Sequence, residues 1–280
     1  MLRSLYRESF MRIGVLTSRH PSKGSELRRW VTGTLLRIIR SKWHTMSSQM
    51  KVLIDHSVRQ HGIVGERGFV SAQGSLADQK YLYLQSQSRN KPQRADWLQP
   101  EIETLPNVAQ LIRDGRLQAF TTNELYAEAF RVEKFPSPAY INIFEGCSIN
   151  RASAPFERSK FGLGGEQFMN KDDVIAYCKS FFLTPTQNGI EKFIEGMKRN
   201  PRYDLSPFEE QCLRNAPVFQ NLCRGIDESH YPDALHLWSA EENALDAFLT
   251  LDRKFRNVVE RQNINFKCRI MYPTELVAMA

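Results

Sequence analysis

Four acidic residues stand where an α/β fold commonly places its chemistry. An apolar run at 52–54 stops at Asp55, and a second run at 248–251 stops at Asp252. Asp233 stands at a predicted helix start, and Glu128 lies on the helix that follows another predicted strand. In open parallel sheets, ligands bind outside the carboxyl ends of the strands. We therefore expect these four carboxylates to meet at one edge of the sheet.

Carboxylates that are brought together repel one another unless a cation lies between them. Oxygen-rich sites of this kind suit Mg²⁺ or Mn²⁺. Such ions can activate water and stabilise the charge that develops on a phosphate. The pattern thus indicates a Mg²⁺ or Mn²⁺ site for phosphate chemistry, with Asp55, Glu128, Asp233 and Asp252 as its metal-binding and catalytic residues.

Each acid also has a structural explanation. Asp233 and Asp252 can act as helix N-caps, the commonest role for Asp at a helix start. Asp55 can begin a turn, and Glu124 and Glu128, four residues apart, can form a solvated helix face. Only the order and context of the acids taken together favour a site.

The elements that must position these acids alternate between strands and helices. Strands are predicted at 52–54, 117–121, 247–251 and 266–271, and helices at 101–114, 123–134, 171–182, 187–199, 206–215, 233–245 and 253–262. We expect turns, one strand and an exposed loop over 56–96, and irregular chain over 136–170. The order predicts an α/β fold, a three-layer α/β/α sandwich with a mostly parallel central sheet. A helical insertion or subdomain is expected at 136–227.

Length and composition are those of a folded chain of one large domain or two small ones. The chain has 280 residues, of which 41% are hydrophobic and 25% are charged. This composition excludes collagen-like, disulfide-scaffold and wholly disordered chains. No run of about 18 apolar residues occurs, which excludes a membrane-spanning helix.

The positive charge is concentrated at one end. Residues 1–49 hold ten Arg or Lys and two acids, a net +8, so the remaining residues 50–280 carry −1 of the total +7. Three interpretations of this basic extension stay open: an arm that contacts nucleic acid or an acidic surface, a targeting segment, or sequence upstream of the natural start. A poorly ordered, solvated tail is the simplest alternative. The folded domain is expected at 50–280.

Cysteine and histidine spacing argues against other kinds of site. The five cysteines lack C-x-x-C spacing, which disfavours a disulfide framework or structural zinc and favours a reducing, cytoplasmic setting. The histidine pairs His56/His61 and His230/His236 lack zinc-site context. The turn at 162–165 has no P-loop lysine, so a nucleotide cradle is not expected.

Several segments together resemble a known family. The stretch from Asp233 to Phe255 has an alanine-rich helix and a strand that ends Phe-Leu-Thr-Leu-Asp252 before a basic and aromatic turn. It resembles the PIN-domain nucleases, which include the ribonuclease toxins of bacterial toxin–antitoxin pairs. Residues 50–55 are similar to that family's first strand and acid, 119–128 to the segment with its second acid, and 271–276 to its last strand.

The resemblance implies a metal-dependent endoribonuclease in which Asp55, Glu128, Asp233 and Asp252 hold Mg²⁺ or Mn²⁺. Glu128 ranks ahead of Glu124 as the second acid because it lies six residues after the strand-end Thr122. The implied partners are an RNA substrate, an antitoxin protein and a second copy of the chain, with no membrane. The chain departs from the family by its large extra region at 136–227 and by His56, where a small hydroxyl residue is usual.

Two other functions remain open from the sequence. A catalytically inactive PIN-like module would bind RNA or a protein partner without cutting. An unrelated α/β hydrolytic enzyme would hold Asp55 and Asp252 far apart. Metal binding and the mutual positions of the four acids distinguish these alternatives from a nuclease.

Overall fold

The computed structural model describes most of the chain from Gln49 onward. It covers residues 49–73, 80–88, 95–133, 140–155, 157–158, 170–200, 204–262 and 264–280. Met50–Ala280 form one compact unit. Apart from Gln49, the basic extension predicted at 1–49 lies outside the described residues, as does the glycine turn at 162–165.

Five short strands form a central sheet in which every pairing is parallel. They are β1 (Met50–Ile54), β4 (Leu117–Thr121), β6 (Ile149–Arg151), β7 (Ala247–Leu249) and β8 (Arg269–Met271). Their order across the sheet is β6-β4-β1-β7-β8, so the strand that leads to Asp55 is central. Because all pairings are parallel, the five strands end at the same edge.

Ten α-helices connect and cover the strands in the described part of the chain. They are α1 (His56–His61), α2 (Leu98–Arg113), α3 (Asn123–Glu133), α4 (Lys171–Cys178), α5 (Gln187–Arg199), α6 (Pro207–Arg214), α7 (Ala216–Cys223), α8 (Tyr231–Glu242), α9 (Arg253–Arg261) and α10 (Pro273–Met279). A π-helical turn, Lys179–Leu183, extends α4, and a 3-10 turn, Glu228–His230, precedes α8. Among the described residues, none of the helices has the length and apolar run that a bilayer crossing requires.

Alternating side chains divide the sheet between two apolar clusters. Val52 and Ile54 point into a cluster with α2 and α10, whereas Leu53 between them joins a larger cluster with α8, α9 and the helices of 171–223. Strand β7 repeats the pattern, with Leu249 on the first side and Phe248 on the second. Residues of a strand alternate between faces, so helices cover both. The predicted three-layer α/β sandwich with a parallel central sheet is confirmed.

Two regions differ from the sequence-based expectation. Residues 56–96 hold α1 and a long hairpin of β2 (Ile63–Gln73) and β3 (Lys80–Ser88), not mainly turns and loop. The region 136–170 also contains strands. Tyr140–Asn142 (β5) pairs with β2 in a separate antiparallel sheet, and β6 is an edge strand of the central sheet. These three-residue strands are too short to produce a periodic signal.

Helix α2 ends at a glycine but continues through a proline. The helix ends before Gly115, which has φ of 69°, and the Arg116 N–H that follows this glycine donates back to the Leu111 carbonyl. The helix begins at Leu98, earlier than the predicted 101, and runs through Pro106. Packing of Leu105 and Val108, which are almost fully buried, outweighs the local cost of the proline.

The helices of residues 171–223 share a core with the sheet. The ring of Phe182 lies 5.0 Å from that of Trp238 on α8 and 5.5 Å from that of Phe219 on α7, centroid to centroid. All three side chains are fully buried. The region expected to be an insertion or subdomain therefore packs as part of the helical layer over one face of the sheet.

Replacing Phe182 with Ala should therefore destabilise the whole domain. We expect a cost of about 3–5 kcal/mol in the free energy of unfolding, because a large cavity opens between α7 and α8. Thermal unfolding followed by circular dichroism should keep one transition, shifted downward. Val218→Ala on the same layer, where the side chain is 38% exposed, is the matched control and should change little. Two separate transitions, only one of them shifted, would contradict the shared core.

Candidate metal centre

Asp55 is fixed at the carboxyl end of the central strand. Its N–H donates to the Leu249 carbonyl at 3.0 Å, which extends the pairing between β1 and β7 by one residue. Its carboxylate caps α1, with Oδ1 accepting from the His56 N–H at 2.8 Å. Asp55 is only 4% exposed. Asp55 thus caps a helix instead of beginning a turn, and its carboxylate is enclosed.

Two hydroxyl groups hold the other carboxylate oxygen of Asp55. Ser57 Oγ lies 2.5 Å and Thr250 Oγ1 lies 2.7 Å from Asp55 Oδ2. Ser57 Oγ also accepts from the Leu251 N–H at 3.1 Å, and Thr250 Oγ1 from the Asp252 N–H at 3.0 Å. Since the backbone supplies both of those protons, each hydroxyl can give its single proton to Asp55. Oδ2 is thus saturated, and Oδ1 retains one lone pair.

Burial and neighbouring charge oppose the ionisation of Asp55. Burial raises the pKa of Asp55 to about 6, with further contributions from the charges of Asp233 and Glu128. The hydrogen bonds from Ser57 and Thr250 act in the opposite direction. A buried carboxylate that faces two others is the electrostatic condition that a divalent cation relieves.

A second group joins α8 to the end of β7. His230, Asp233 and Asp252 each offer one ligand atom, and these atoms all lie within 4.8 Å of one another. The hydrogen bond of Asp233 raises the pKa of His230, and Asp252 adds to the increase. Asp252 also caps α9, since its Oδ1 accepts from the Phe255 N–H at 2.9 Å. The capping role and a place in the acidic group are therefore compatible for Asp252.

Glu128 enters the site from α3 and is paired with a histidine. Glu128 Oε2 lies 3.3 Å from His236 Nε2, and His236 is 3% exposed. Burial alone lowers the pKa of His236, but the hydrogen bond and charge of Glu128, with the charges of Asp55 and Asp233, raise it above its ordinary value. A proton on His236 thus offsets part of the negative charge at this end of the sheet.

Glu124 is excluded from the site by an arginine. Arg158 Nε and Nη2 bind both oxygens of Glu124 at 2.6–3.0 Å, and the two side chains are 2% and 7% exposed. The idea that Glu124 lies on a solvated face is wrong, because this pair is enclosed. Of the two candidates for the second acid, only Glu128 acts on Asp55.

The donor set fits a divalent cation. Among the described residues, the ligand atoms grouped within 4.8 Å are those of His230, Asp233 and Asp252; Asp55 and Glu128 do not belong to that group, and their charges act on it from beside it. The two carboxylates suit Mg²⁺ or Mn²⁺, and the imidazole nitrogen of His230 suits the transition metal better than Mg²⁺. Asp55 has an oxygen lone pair left over, and Asp252 has one carboxylate oxygen that the cap does not use. The arrangement can bind a cation and place it against an anionic ligand at the open edge of the sheet.

The histidines and Ser57 are the members that sequence reasoning missed. Their spacing carried a signal, because His230, Asp233 and His236 follow one another at intervals of three residues, which brings side chains together around the start of a helix. This spacing does not match a zinc-site pattern. The small hydroxyl expected directly after the first acid is supplied one position later by Ser57.

Comparisons with protein-family models, with curated proteins and with solved structures found no match to this chain.

Proposed function

We propose that this protein is a Mg²⁺- or Mn²⁺-dependent endoribonuclease of the PIN-domain type. The observation that carries the proposal is the group of His230, Asp233 and Asp252, whose ligand atoms all lie within 4.8 Å of one another. The buried Asp55 supports it, because burial and then the charges of Asp233 and Glu128 oppose its ionisation. Structural N-caps do not need such a grouping, since one carboxylate suffices at each helix start. The resemblance of 233–255 to that family supports the same assignment.

The chain's own residues would divide the work as follows. Asp55, Glu128, Asp233 and Asp252 hold the ion, which when bound supplies water activation and charge stabilisation at phosphorus. Ser57 and Thr250 hold Oδ2 of Asp55, which would leave Oδ1 available to a metal ion. His230 steadies Asp233, while His236 fixes Glu128 and is positioned to carry a compensating proton.

Asp233→Asn tests the assignment. We expect at least about a hundredfold loss of Mn²⁺-dependent cleavage of a fluorogenic RNA, because one metal ligand loses its charge. Mn²⁺ binding, followed by calorimetry, should weaken in parallel, while the far-ultraviolet circular dichroism spectrum stays unchanged. Asp114→Asn, an exposed aspartate that follows α2 and precedes β4, away from the carboxyl ends of the strands, is the matched control and should keep full activity. Full cleavage in Asp233→Asn would remove the nuclease proposal, and metal binding without any cleavage would favour an inactive binding module.

A further inference from the structure

Cationic and aromatic side chains lie on both sides of the four acids Asp55, Glu128, Asp233 and Asp252. We call these four acids the acidic centre. On one side, Arg59 and Arg151 have their guanidinium carbons 5.8 and 5.7 Å from the ring centroid of Tyr126. We call these three residues the β6 flank. On the other side, Arg253 lies 5.5 Å from the ring of Trp97, and Arg256 lies 4.3 Å from the ring of Tyr272. These four residues are the β8 flank.

The topology places both flanks at the edge that carries the acids. Arg151 ends β6 and is in register with Thr121, the last residue of β4. Tyr126 lies in the first turn of α3, where its N–H donates to the Thr122 carbonyl. With neighbouring strands about 4.8 Å apart, β6 and β8 lie about 19 Å from each other across the sheet.

The β8 flank begins directly at the metal ligands. Arg253 follows Asp252 in the chain, and Tyr272 follows the end of β8, whose Met271 carbonyl accepts from the Thr250 N–H at 3.2 Å. The Trp97 and Tyr272 rings lie 5.8 Å apart, so they form one aromatic surface. Along this edge of the sheet, from β6 to β8, arginines therefore come first, the acids next and arginines again last.

The guanidinium groups of three arginines remain available to an anion. Within the described residues, the recorded contacts of the Arg59, Arg151 and Arg253 guanidinium groups are to aromatic rings and not to carboxylates. Arg256 differs, since Glu275 and Glu260 bind it at 2.6–2.9 Å. An arginine over a ring keeps its in-plane N–H donors free for a phosphate. Arg151 and Arg253 are exposed, and Tyr126 is 39% exposed.

We infer that the two flanks bind one single strand of nucleic acid, which crosses the edge of the sheet with a phosphate at the acidic centre. The inference rests on the proposed function and adds where the strand lies. Cations on both sides match phosphates that precede and follow the central one. The rings of Tyr126, Trp97 and Tyr272 match unpaired bases, which a duplex keeps in its own stack.

Binding by exposed-arginine variants of the full-length protein tests the phosphate contacts. The probe is a short fluorescein-labelled oligouridylate in EDTA, followed by anisotropy, so that no cleavage is needed. Arg151→Gln and Arg253→Gln should each weaken binding about five- to tenfold and lower the slope of log affinity against log salt by about 0.7. Arg199→Gln, a control with 81% side-chain exposure on α5, should change affinity less than twofold. Flank variants whose affinity for the oligouridylate changes as little as that of this control would overturn the inference.

A second readout separates the flanks from the basic extension, which can also attract a polyanion. In the full-length protein, an oligonucleotide that carries 4-thiouridine should cross-link at both flanks. One cross-linked peptide should contain Tyr126, and another should contain Trp97 or Tyr272. Tyr126→Ala should lose its cross-link and weaken binding, and Tyr126→Phe should keep both because the ring remains. Cross-links confined to 1–49, or equal competition by an RNA duplex or by polyglutamate, would refute a single-strand surface.

The two proposals fail in different ways. A strand that binds at both flanks but is never cut in Mn²⁺ would remove the nuclease and leave the binding surface. Cleavage that depends on Asp233, but is insensitive to Arg151→Gln and Arg253→Gln, would remove the binding surface and leave the nuclease.

Discussion

Replacing Asp55 with Asn is expected to abolish metal-dependent cleavage and, at the same time, to stabilise the metal-free protein at neutral pH. Both effects follow from one buried charge, because Asn cannot ionise and keeps its oxygen as the acceptor for Ser57 and Thr250. Its amide nitrogen takes the place of Oδ1 and cannot accept from the His56 N–H, which offsets about 1 kcal/mol of the gain. The loss of activity reflects a lost metal ligand. The gain in stability reflects removal of a charge that is buried and that Asp233 and Glu128 repel in the absence of the ion.

The pH dependence of the stabilising effect can be worked out from the pKa of Asp55. That pKa rises from 3.8 to about 6 on folding, so the folded state holds the proton more tightly. The carboxyl group's contribution to stability is complete below pH 3.8 and is lost as the pH rises through 6. Above pH 6, the ionised group costs up to about 3 kcal/mol, since one pKa unit corresponds to about 1.36 kcal/mol.

Thermal melts in EDTA at pH 4 and pH 7.5 measure this effect. The gap between the Asp55→Asn and wild-type melting temperatures should widen by several degrees from the acidic to the neutral condition. Asp114→Asn, which is exposed and precedes β4 at the opposite edge of the sheet, should show no such widening. A variant that melts below the wild-type protein at pH 7.5 in EDTA, or that still cleaves RNA, would contradict this account of Asp55.

Replacing Arg158 with Met should have the largest destabilising effect outside the apolar core. The substitution leaves the Glu124 carboxylate buried without its bidentate partner, and such a loss typically costs about 3–5 kcal/mol. Removing both charges, as in the Glu124→Leu/Arg158→Met double variant, should recover most of that loss, because no uncompensated ion remains. Chemical denaturation with urea measures both free energies.

The same double variant distinguishes Glu124 from Glu128. Because Glu124 is bound to Arg158 and not to the acidic centre, the double variant should retain cleavage. Glu128→Gln should lose it while remaining folded. Arg199→Met breaks the exposed pair with Glu195 and is the control, with a change within about 0.5 kcal/mol. Cleavage that survives Glu128→Gln and is lost in the double variant would reverse the roles of the two glutamates.

The order of the elements that carry the acids was predictable from the sequence. Apolar runs that end at Asp55 and Asp252 produce a local signal, and parallel strands bring their ends to one edge. Helix bounds at 187–199 and the strand at 117–121 agree with the structure. The cap of α3 was misplaced by one residue, since Thr122 and not Asn123 accepts from the Leu125 N–H.

The rest of the site depends on contacts between distant parts of the chain. Glu124 and Glu128 have the same local pattern, and only Arg158, 34 residues after Glu124, decides which of them is sequestered. The pairing of Glu128 with His236 spans 108 residues. Strand β6 has three residues and is recognisable only through its partner β4. No local propensity or periodicity encodes such pairings.

Helix α8 carries Asp233 and His236 and is also enclosed almost completely. Residues 234–240 are all buried, and Trp238 contacts the aromatic rings of two other segments. Such burial restricts substitution, because nearly every exchange within 234–240 either opens a cavity or introduces a clash. Across diverging descendants of this chain, these residues should therefore change most slowly. These positions would still identify distant relatives whose surface residues no longer resemble those of this chain.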